Sequence, residues 1–389
     1  MLLDVTVVVL FISLIFLSVH SYLFYPVIIN IIARFKGKKL PGNSFSPEVS
    51  ILCSAFNEEK VIENRISNIL SLNYDLSKIE VLIGSDCSSD RTNEILTELS
   101  QKHPWLKVHI FSERRGKAAV INDLVKLARH EILVFTDANT EFDRNSLKLL
   151  VENFNDPEIG GVSGRLILVE PAANRSESVE EKKYWEYETL IKRAEGKCGI
   201  LIGANGGIFA IRSKLFREIP TRKAVTDDFF VSLSVLEKDY RFIYRYDAFA
   251  VEEVGRSVSL EVKRKIRFAA TNFQTMFFFR KLLFNKNILL SYAFWSHKIT
   301  RWFLPFILII TFLLNILILG NGGFFVAAFV AQLLFYAAAF LGYILSLFKI
   351  RMAAFSLPYF FVVANMALLL GFFRFMAGKH SIIWQSTPR

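Results

Sequence analysis

The sequence has 389 residues, room for one large domain or two, and is 52% hydrophobic with 38 Phe, which is high for a wholly soluble protein. A net charge of +11 would suit nucleic acid, but the Lys and Arg crowd aromatic-rich stretches such as "EVKRKIRF", "FFFRKLLFNK" and "WSHKITRW". That pattern belongs to segments lying on anionic lipid, and without zinc-finger spacing or an aromatic nucleic-acid motif, nucleic acid is set aside as a partner.

Residues 5–32, "VTVVVLFISLIFLSVHSYLFYPVIINII", form one apolar run, followed by the basic "RFKGKK". The run exceeds the roughly 20 residues needed to cross a hydrocarbon core, and it lacks a clear small-residue cleavage site. An anchor over residues 1–35 is expected, with its basic flank in the cytoplasm and the N-terminus outside. From 44 to 255 the texture is that of a soluble domain. The three cysteines, Cys53, Cys87 and Cys198, are odd in number and form no C-x-x-C pair, as expected of free thiols in a reducing cytosol.

"PEVSILCSAFNEE" opens that domain with an alternating strand, Val49 to Phe56, running into Asn57, Glu58 and Glu59. A helix follows, with Val61, Ile62, Ile66, Ile69 and Leu70 at helical spacing. "KIEVLIGSDCSSDRTNEIL", "WLKVHIFSERRGKAAVINDLV" and "EILVFTDANTEFD" repeat the scheme. Strands alternating with helices imply βαβ units and a mainly parallel sheet, whose strand ends converge on one edge. Glu58, Asp86, Asp90, Lys117 and Asp137 would line a crevice there. Asp86 suits a base or ribose, and Lys117, after Gly116 at a helix start, suits phosphate. Asp137 and Asn139 offer hard oxygens for Mg²⁺ or Mn²⁺. Each also has an ordinary reading: Asp90 looks like a cap for "RTNEIL", Asp143 caps the next helix, and Glu58 and Glu59 suit a helix first turn.

Residues 256–300 read as amphipathic interfacial helices, with Phe268, Phe273 and Phe277 near one face, Trp295 and Trp302 as interface anchors, and His297 structural or lipid-facing. Residues 301–378 hold two to three spans. The basic "KIRM" fits a cytoplasmic loop, yet the basic tail, 379–389, also prefers the inside, so the third segment reads as re-entrant or interfacial. "EEKKYWEYETLIKRAEGK" is a helix whose aromatics suit either the acceptor or the core.

These residues together resemble the family-2 glycosyltransferases over roughly 46–275. The resemblance implies inverting, metal-dependent, nucleotide-sugar chemistry on an α/β fold of the glycosyltransferase A type, with transmembrane helices at both ends. "SILCSAFNEE" is similar to the nucleotide-holding turn, with Ser54 at the usual Pro and Ala55, Phe56 and Glu58 as contacts. "GSDCSSDRT" implies Asp86 on the base with Asp90 supporting it, and "RGKAAVIND" carries Lys117 to the diphosphate. "DAN" replaces the usual Asp-x-Asp, so Asp137 carries over as metal ligand with Asn139 as a neutral departure. "GANGGIFAIR" looks like the segment beneath the acceptor, with Gly203, Ala204 and Asn205 nearest it. "VTDDFFVSL" resembles the Thr-Glu-Asp motif, implying Asp228 as catalytic base and Asp227 in the Glu place. "RKIRF" supplies Arg264 and Arg267 toward the diphosphate and Phe268 in a Trp place, and Gln274 falls where some members have Gln.

The expectation is a bacterial plasma-membrane enzyme with its catalytic domain in the cytoplasm. It would move sugar from a nucleotide-sugar donor to a glycan or lipid-linked acceptor, beside membrane lipid, in making cell-surface polysaccharide or glycolipid. A processive synthase that threads out its product, and a non-catalytic nucleotide-sugar sensor, stand as alternatives. A transporter fits least, since its spans should carry midplane polar groups, and here only Asn315, Gln332 and Asn365 do so. Sugar, linkage and oligomeric state are not readable from the sequence.

Overall fold

The structure, a computed structural model, describes residues 2–37, 45–169, 179–253, 258–348, 350 and 352–378. The basic tail, and parts of the "RFKGKK" and "KIRM" flanks used to orient the spans, lie outside the described residues.

The N-terminal run is helical throughout, α1 (Leu2–Val19) continuing through a π-helical turn into α2 (Tyr25–Lys36). The soluble domain then alternates β1 (Val49–Ala55), α3 (Ile62–Leu70), β2 (Ile79–Asp86), α4 (Thr92–Lys102), β3 (Leu106–Phe111), α5 (Lys117–Leu127) and β4 (Ile132–Asp137). After these come β5 (Thr140–Phe142), α6 (Ser146–Val151), β6 (Ile159–Val169), α7 (Val179–Lys197), β7 (Phe209–Arg212), α8 (Asp227–Glu237) and β8 (Arg241–Glu253). The eight strands form one sheet in the order β3-β2-β1-β4-β7-β6-β8-β5. β1 to β4 are mutually parallel and β6 pairs parallel with β8, while β7 and β5 pair antiparallel with their neighbours. The chain reverses its direction of strand addition between β1 and β4, so the crevice for a ligand opens there, at the carboxyl ends of β1, β2 and β4.

The β2 residues are buried on both faces, as a central parallel strand requires. Alternate residues feed two cores. Ile51, Val81 and Val134 face one with Ile62, Ile66 and Leu147, whereas Leu52, Leu82 and Leu133 face the other with Val120, Leu124 and Phe230. The second core does not stop at the domain edge. It runs on through Phe273 of α9 (Val258–Phe278) to Phe294 and Trp302 of the helices beyond.

Among the described residues four helical stretches are long and apolar enough to cross a membrane: Val5–Lys36, Ile288–Leu317, Gly323–Leu347 and Ala353–Met376. The second comprises α10 (Ile288–Ala293), a π-helical turn Phe294–Ile299 and α11 (Thr300–Leu317), so it begins well before residue 301, inside the stretch read as interfacial. The last two are α12 (Gly323–Leu347) and α13 (Ala353–Met376). The third carboxy-terminal segment is thus one continuous 24-residue helix rather than a broken, re-entrant one.

Trp302 is also corrected. It is buried edge-on against Phe229, 5.6 Å between ring centroids, and is a core residue rather than an interface anchor, while Trp295 stays 42% exposed. Phe273 is wholly buried although Phe268 and Phe277 are exposed, so only the latter two fit a lipid-facing stripe. His297 is buried and not lipid-facing. Its Nδ1 lies 2.6 Å from Glu195 and its Nε2 2.9 Å from Glu188, both on α7. Arg301 closes on Glu188 at 2.5 Å, the Tyr25 hydroxyl donates to Glu195 at 2.6 Å, and Arg301 Nη2 donates to the Ser21 carbonyl. Charges this far from water persist only when paired, so this network pins α7 between the first and second spans.

Candidate active site

The strand-end loops after β1 and β2 are laced together. Asn57, at a left-handed φ of 54°, accepts from Ser89 N–H at 2.9 Å, and the N–H of Glu58 donates to the Thr92 hydroxyl at 2.8 Å. Asp90 spends its carboxylate here. Oδ1 accepts from Thr92 N–H (3.0 Å) and hydroxyl (2.6 Å), and Oδ2 accepts from Glu59 N–H (3.1 Å). It caps α4 and ties the loops, which is the ordinary reading. Asp143 likewise caps the approach to α6, accepting from Asn145 N–H at 3.0 Å.

Asp86, buried at the end of β2, accepts from the N–H groups of Arg115 and Gly116, each at 2.8 Å. These bonds shape the turn before α5, where Gly116 sits at φ 88°, a conformation that glycine adopts at no steric cost. In this way Asp86 presents Lys117. The Phe56 ring, expected on the nucleotide, carries the Arg114 guanidinium 3.5 Å above its centroid. Ala55 and Glu58 are both buried behind that rim.

Lys117 is the centre of the crevice. Its ammonium lies 2.7 Å from Asp137 Oδ1 and 2.8 Å from Asp227 Oδ2, joining the end of β4 to the start of α8. Burial opposes its charge, but Asp137 and Asp227 hold its pKa well above the ordinary lysine value. Burial also opposes ionisation of Asp227, and Lys117 nevertheless brings that carboxyl below its usual range. Asp228, next in the chain, makes no such ion pair among the described residues. Burial first, and the Asp227 charge second, push it up to about 7. Two adjacent acids thereby divide the work, one ionised and paired, the other poised near neutrality.

Two carboxylates focused on one cation, with the Asn139 Oδ1 left over while its Nδ2 donates to Glu252 at 3.1 Å, make a hard-oxygen set that suits Mg²⁺ or Mn²⁺. Among the described residues no three His, Cys, Asp or Glu gather as a complete cage. A cation held by few protein oxygens and completed by phosphate is the usual Mg²⁺ arrangement.

The acceptor-side residues are placed as follows. Gly203 has a φ of 95°, the N–H of Ala204 donates to Ser232, and Asn205 is buried with Nδ2 on the Gly164 carbonyl at 2.6 Å. The residue against the candidate base is the next one, Gly206, where an added Cβ would come within 3.1 Å of Asp228 Oδ2. The α9 guanidiniums of Arg264 and Arg267 lie 5.9 and 5.2 Å from the exposed Phe268 ring. Burial, then Arg264, lower the Arg267 pKa, and the Asp227 charge partly restores it. Gln274 is buried on α9.

Three contributions escaped the sequence reading. The Thr226 hydroxyl bonds Thr271 at 2.7 Å and Asn272 at 2.8 Å, docking the start of α8 on α9. Gly206 was one residue outside the chosen triplet. Lys192 of α7 donates to Asn205 Oδ1 at 2.6 Å, which a helix full of Lys and Glu does not announce.

Residues 50–219 match the family model described as glycosyl transferase family 2. The poly-beta-1,6-N-acetyl-D-glucosamine synthase of Staphylococcus aureus strain COL is 27% identical over 227 residues, 57% of this chain and 53% of that protein. The same-named protein of Staphylococcus epidermidis is 26% identical over the same shares. The chain thus spans about half the length of these curated relatives. Among solved structures, the mannosyltransferase PcManGT of Pyrobaculum calidifontis, in complex with GDP-Man and Mn²⁺, superposes with a TM-score of 0.68 at 22% identity, covering 95% of this chain and 100% of that one. The fold is therefore shared over most of the chain.

Proposed function

With residues 50–219 as a glycosyl transferase family 2 domain, we propose that the protein is a membrane-embedded inverting glycosyltransferase drawing on a nucleotide sugar in the cytoplasm. The observation that carries this reading is the chain Asp137–Lys117–Asp227 ending beside Asp228. It sets a charge-neutralising group and a base of matched pKa at the switch point of the sheet. A sensor has no need of a base poised near neutrality.

Asp228 takes the proton of the acceptor hydroxyl as that oxygen bonds to the anomeric carbon. The bond from that carbon to the diphosphate breaks, and its electron pair leaves with the nucleoside diphosphate. Lys117 and Arg267 face the charge that grows on the leaving group, where preorganised cations lower the barrier most. A Mg²⁺ or Mn²⁺ held by Asp137 and Asn139 would supply further neutralisation of that diphosphate. Phe229 beneath Asp228, packed on Trp302, and the Gly203–Gly206 turn close the floor against water.

The acceptor in this reading is a glycan or lipid-linked saccharide. The name of the Staphylococcus relatives favours a second version, in which the acceptor is the growing polymer. The test is nucleotide release by the purified protein in lipid, with a panel of sugar nucleotides and either metal, product length being read alongside. Asp228→Asn should cut turnover by about 10²- to 10⁴-fold with nucleotide binding kept. Asp137→Ala should lose turnover and the metal requirement together. Donor binding without consumption, across lipid and glycan acceptors, would leave a sensor as the better account.

A further inference from the structure

Glu188, Lys192 and Glu195 occupy one stripe of α7 at i, i+4 and i+7, where a lysine ordinarily pairs with its own acids. Here the acids are engaged elsewhere, Glu188 by Arg301, His297 and Lys298, and Glu195 by His297 and Tyr25. Lys192 instead donates to a neutral oxygen, Asn205 Oδ1, at 2.6 Å, and among the described residues it makes no ion pair. An ammonium carries three N–H donors, so two remain.

The second cation near it is Lys298, whose Nζ is 3.7 Å from Glu188. Burial, then the Lys298 charge, push the Lys192 pKa down to about 8 even though Glu188, Asp228 and Glu195 act in the opposite direction. Two ammoniums held near each other in a low dielectric repel, and since Glu188 already answers Lys298, it is at Lys192 that an added anion brings relief. Their place in the fold says which anion. Asn205 precedes Gly206, where an added Cβ would meet Asp228, and Lys298 stands in the π-helical turn between α10 and α11 of the second span. Phe294 of that turn and Trp302 both pack on Phe229. The pair therefore joins the candidate base's surroundings, on the Lys192 side, to the second span, on the Lys298 side.

We infer that Lys192, backed by Lys298, binds a phosphate on the acceptor, and that the acceptor is a sugar carried on a lipid phosphate and presented from the membrane. This rests on the glycosyltransferase reading above. The sugar hydroxyl loses its proton to Asp228 and bonds to the anomeric carbon, and the nucleoside diphosphate leaves with the electron pair. The linking phosphate stays whole in the grip of Lys192.

The experiment compares a sugar on polyprenyl phosphate with the same sugar on an uncharged alkyl chain, as acceptors for wild type and Lys192→Gln in nanodiscs. The phosphate-bearing acceptor should have a KM lower by about tenfold or more, the scale of a charge-assisted hydrogen bond. Inorganic phosphate should compete with it and leave the neutral acceptor untouched; competition with both alike would make this a free-phosphate site. In Lys192→Gln the preference should vanish with the donor KM unchanged. A wild type indifferent to the phosphate, or a variant that keeps the preference, overturns the inference. The unmodified protein gives an independent readout. Acylation of Lys192, followed by mass spectrometry, should be blocked by the lipid phosphate and not by the neutral glycolipid. If no donor is consumed at all, the enzyme reading fails while this protection still decides the anion site. Equal acylation in both lipids overturns it.

Discussion

Asp227 and Asp228 show how position within one turn of helix sets chemistry. Both sit in the first turn of α8, where a helix favours acids. Lys117 claims Asp227, and Asp228 is left with burial and a negative neighbour, so its carboxyl titrates near 7. A base works in its deprotonated form, so turnover should climb about tenfold per pH unit below that value and flatten above it. The check is nucleotide release between pH 5 and 9 at saturating donor and acceptor. A profile flat through neutrality would remove Asp228 from the role of base. Asp90 illustrates the opposite outcome, a motif carboxylate whose oxygens go to Thr92 and Glu59 N–H.

Among elements, α7 owes its placement to partners distant in sequence. Its acids reach Tyr25 of α2 and His297 and Arg301 of the second span. Burial opposes ionisation of Glu188, yet His297, Lys298 and Arg301 hold its carboxyl well below the usual range. Glu188→Gln removes the countercharge of a buried guanidinium and should cost about 3–5 kcal/mol of stability, read as a fall in the unfolding midpoint. Glu188→Leu with Arg301→Met should cost less, since the guanidinium is no longer stranded and only the more distant Lys298 loses its countercharge. Equal losses in the single and double variants would mean that the cost does not come from a stranded guanidinium.

The whole molecule is one object because one core runs through it. Phe229 and Phe230 of α8 pack with Phe273 and Phe279, and beyond them with Phe294 and Trp302. Phe273 also meets Phe372 of α13 at 5.2 Å. A fragment of residues 45–285, without any of the four apolar spans, would bare these rings, so it should aggregate or bind an apolar dye and fail to retain nucleotide. A soluble, nucleotide-binding fragment of that length would show instead that the membrane helices only tether the domain.

The sequence by itself determined the βαβ alternation, the four apolar stretches and the carboxylates at strand ends. Hydrophobic period and strand-end chemistry are local, and "GSDCSSDRT", "DAN" and "VTDDFF" carry them within a few residues. It left open which oxygens face the crevice. Whether Asp86 meets a ligand or the Arg115 and Gly116 N–H groups depends on a turn about thirty residues away. The boundary of the second span was misjudged for a related reason. "WSHKITRW" is polar enough to read as interface, and only Glu188 and Glu195 of α7, about a hundred residues earlier, make His297 and Arg301 bearable inside. Lys192 was invisible on similar grounds, since a lysine beside two glutamates looks solvated until other cations have claimed both. Local patterning fixes which segments are helix, strand or span. The fate of each charge is decided by partners that only the tertiary fold brings within a few ångströms, because the energy of a buried charge depends on distance in space and not along the chain.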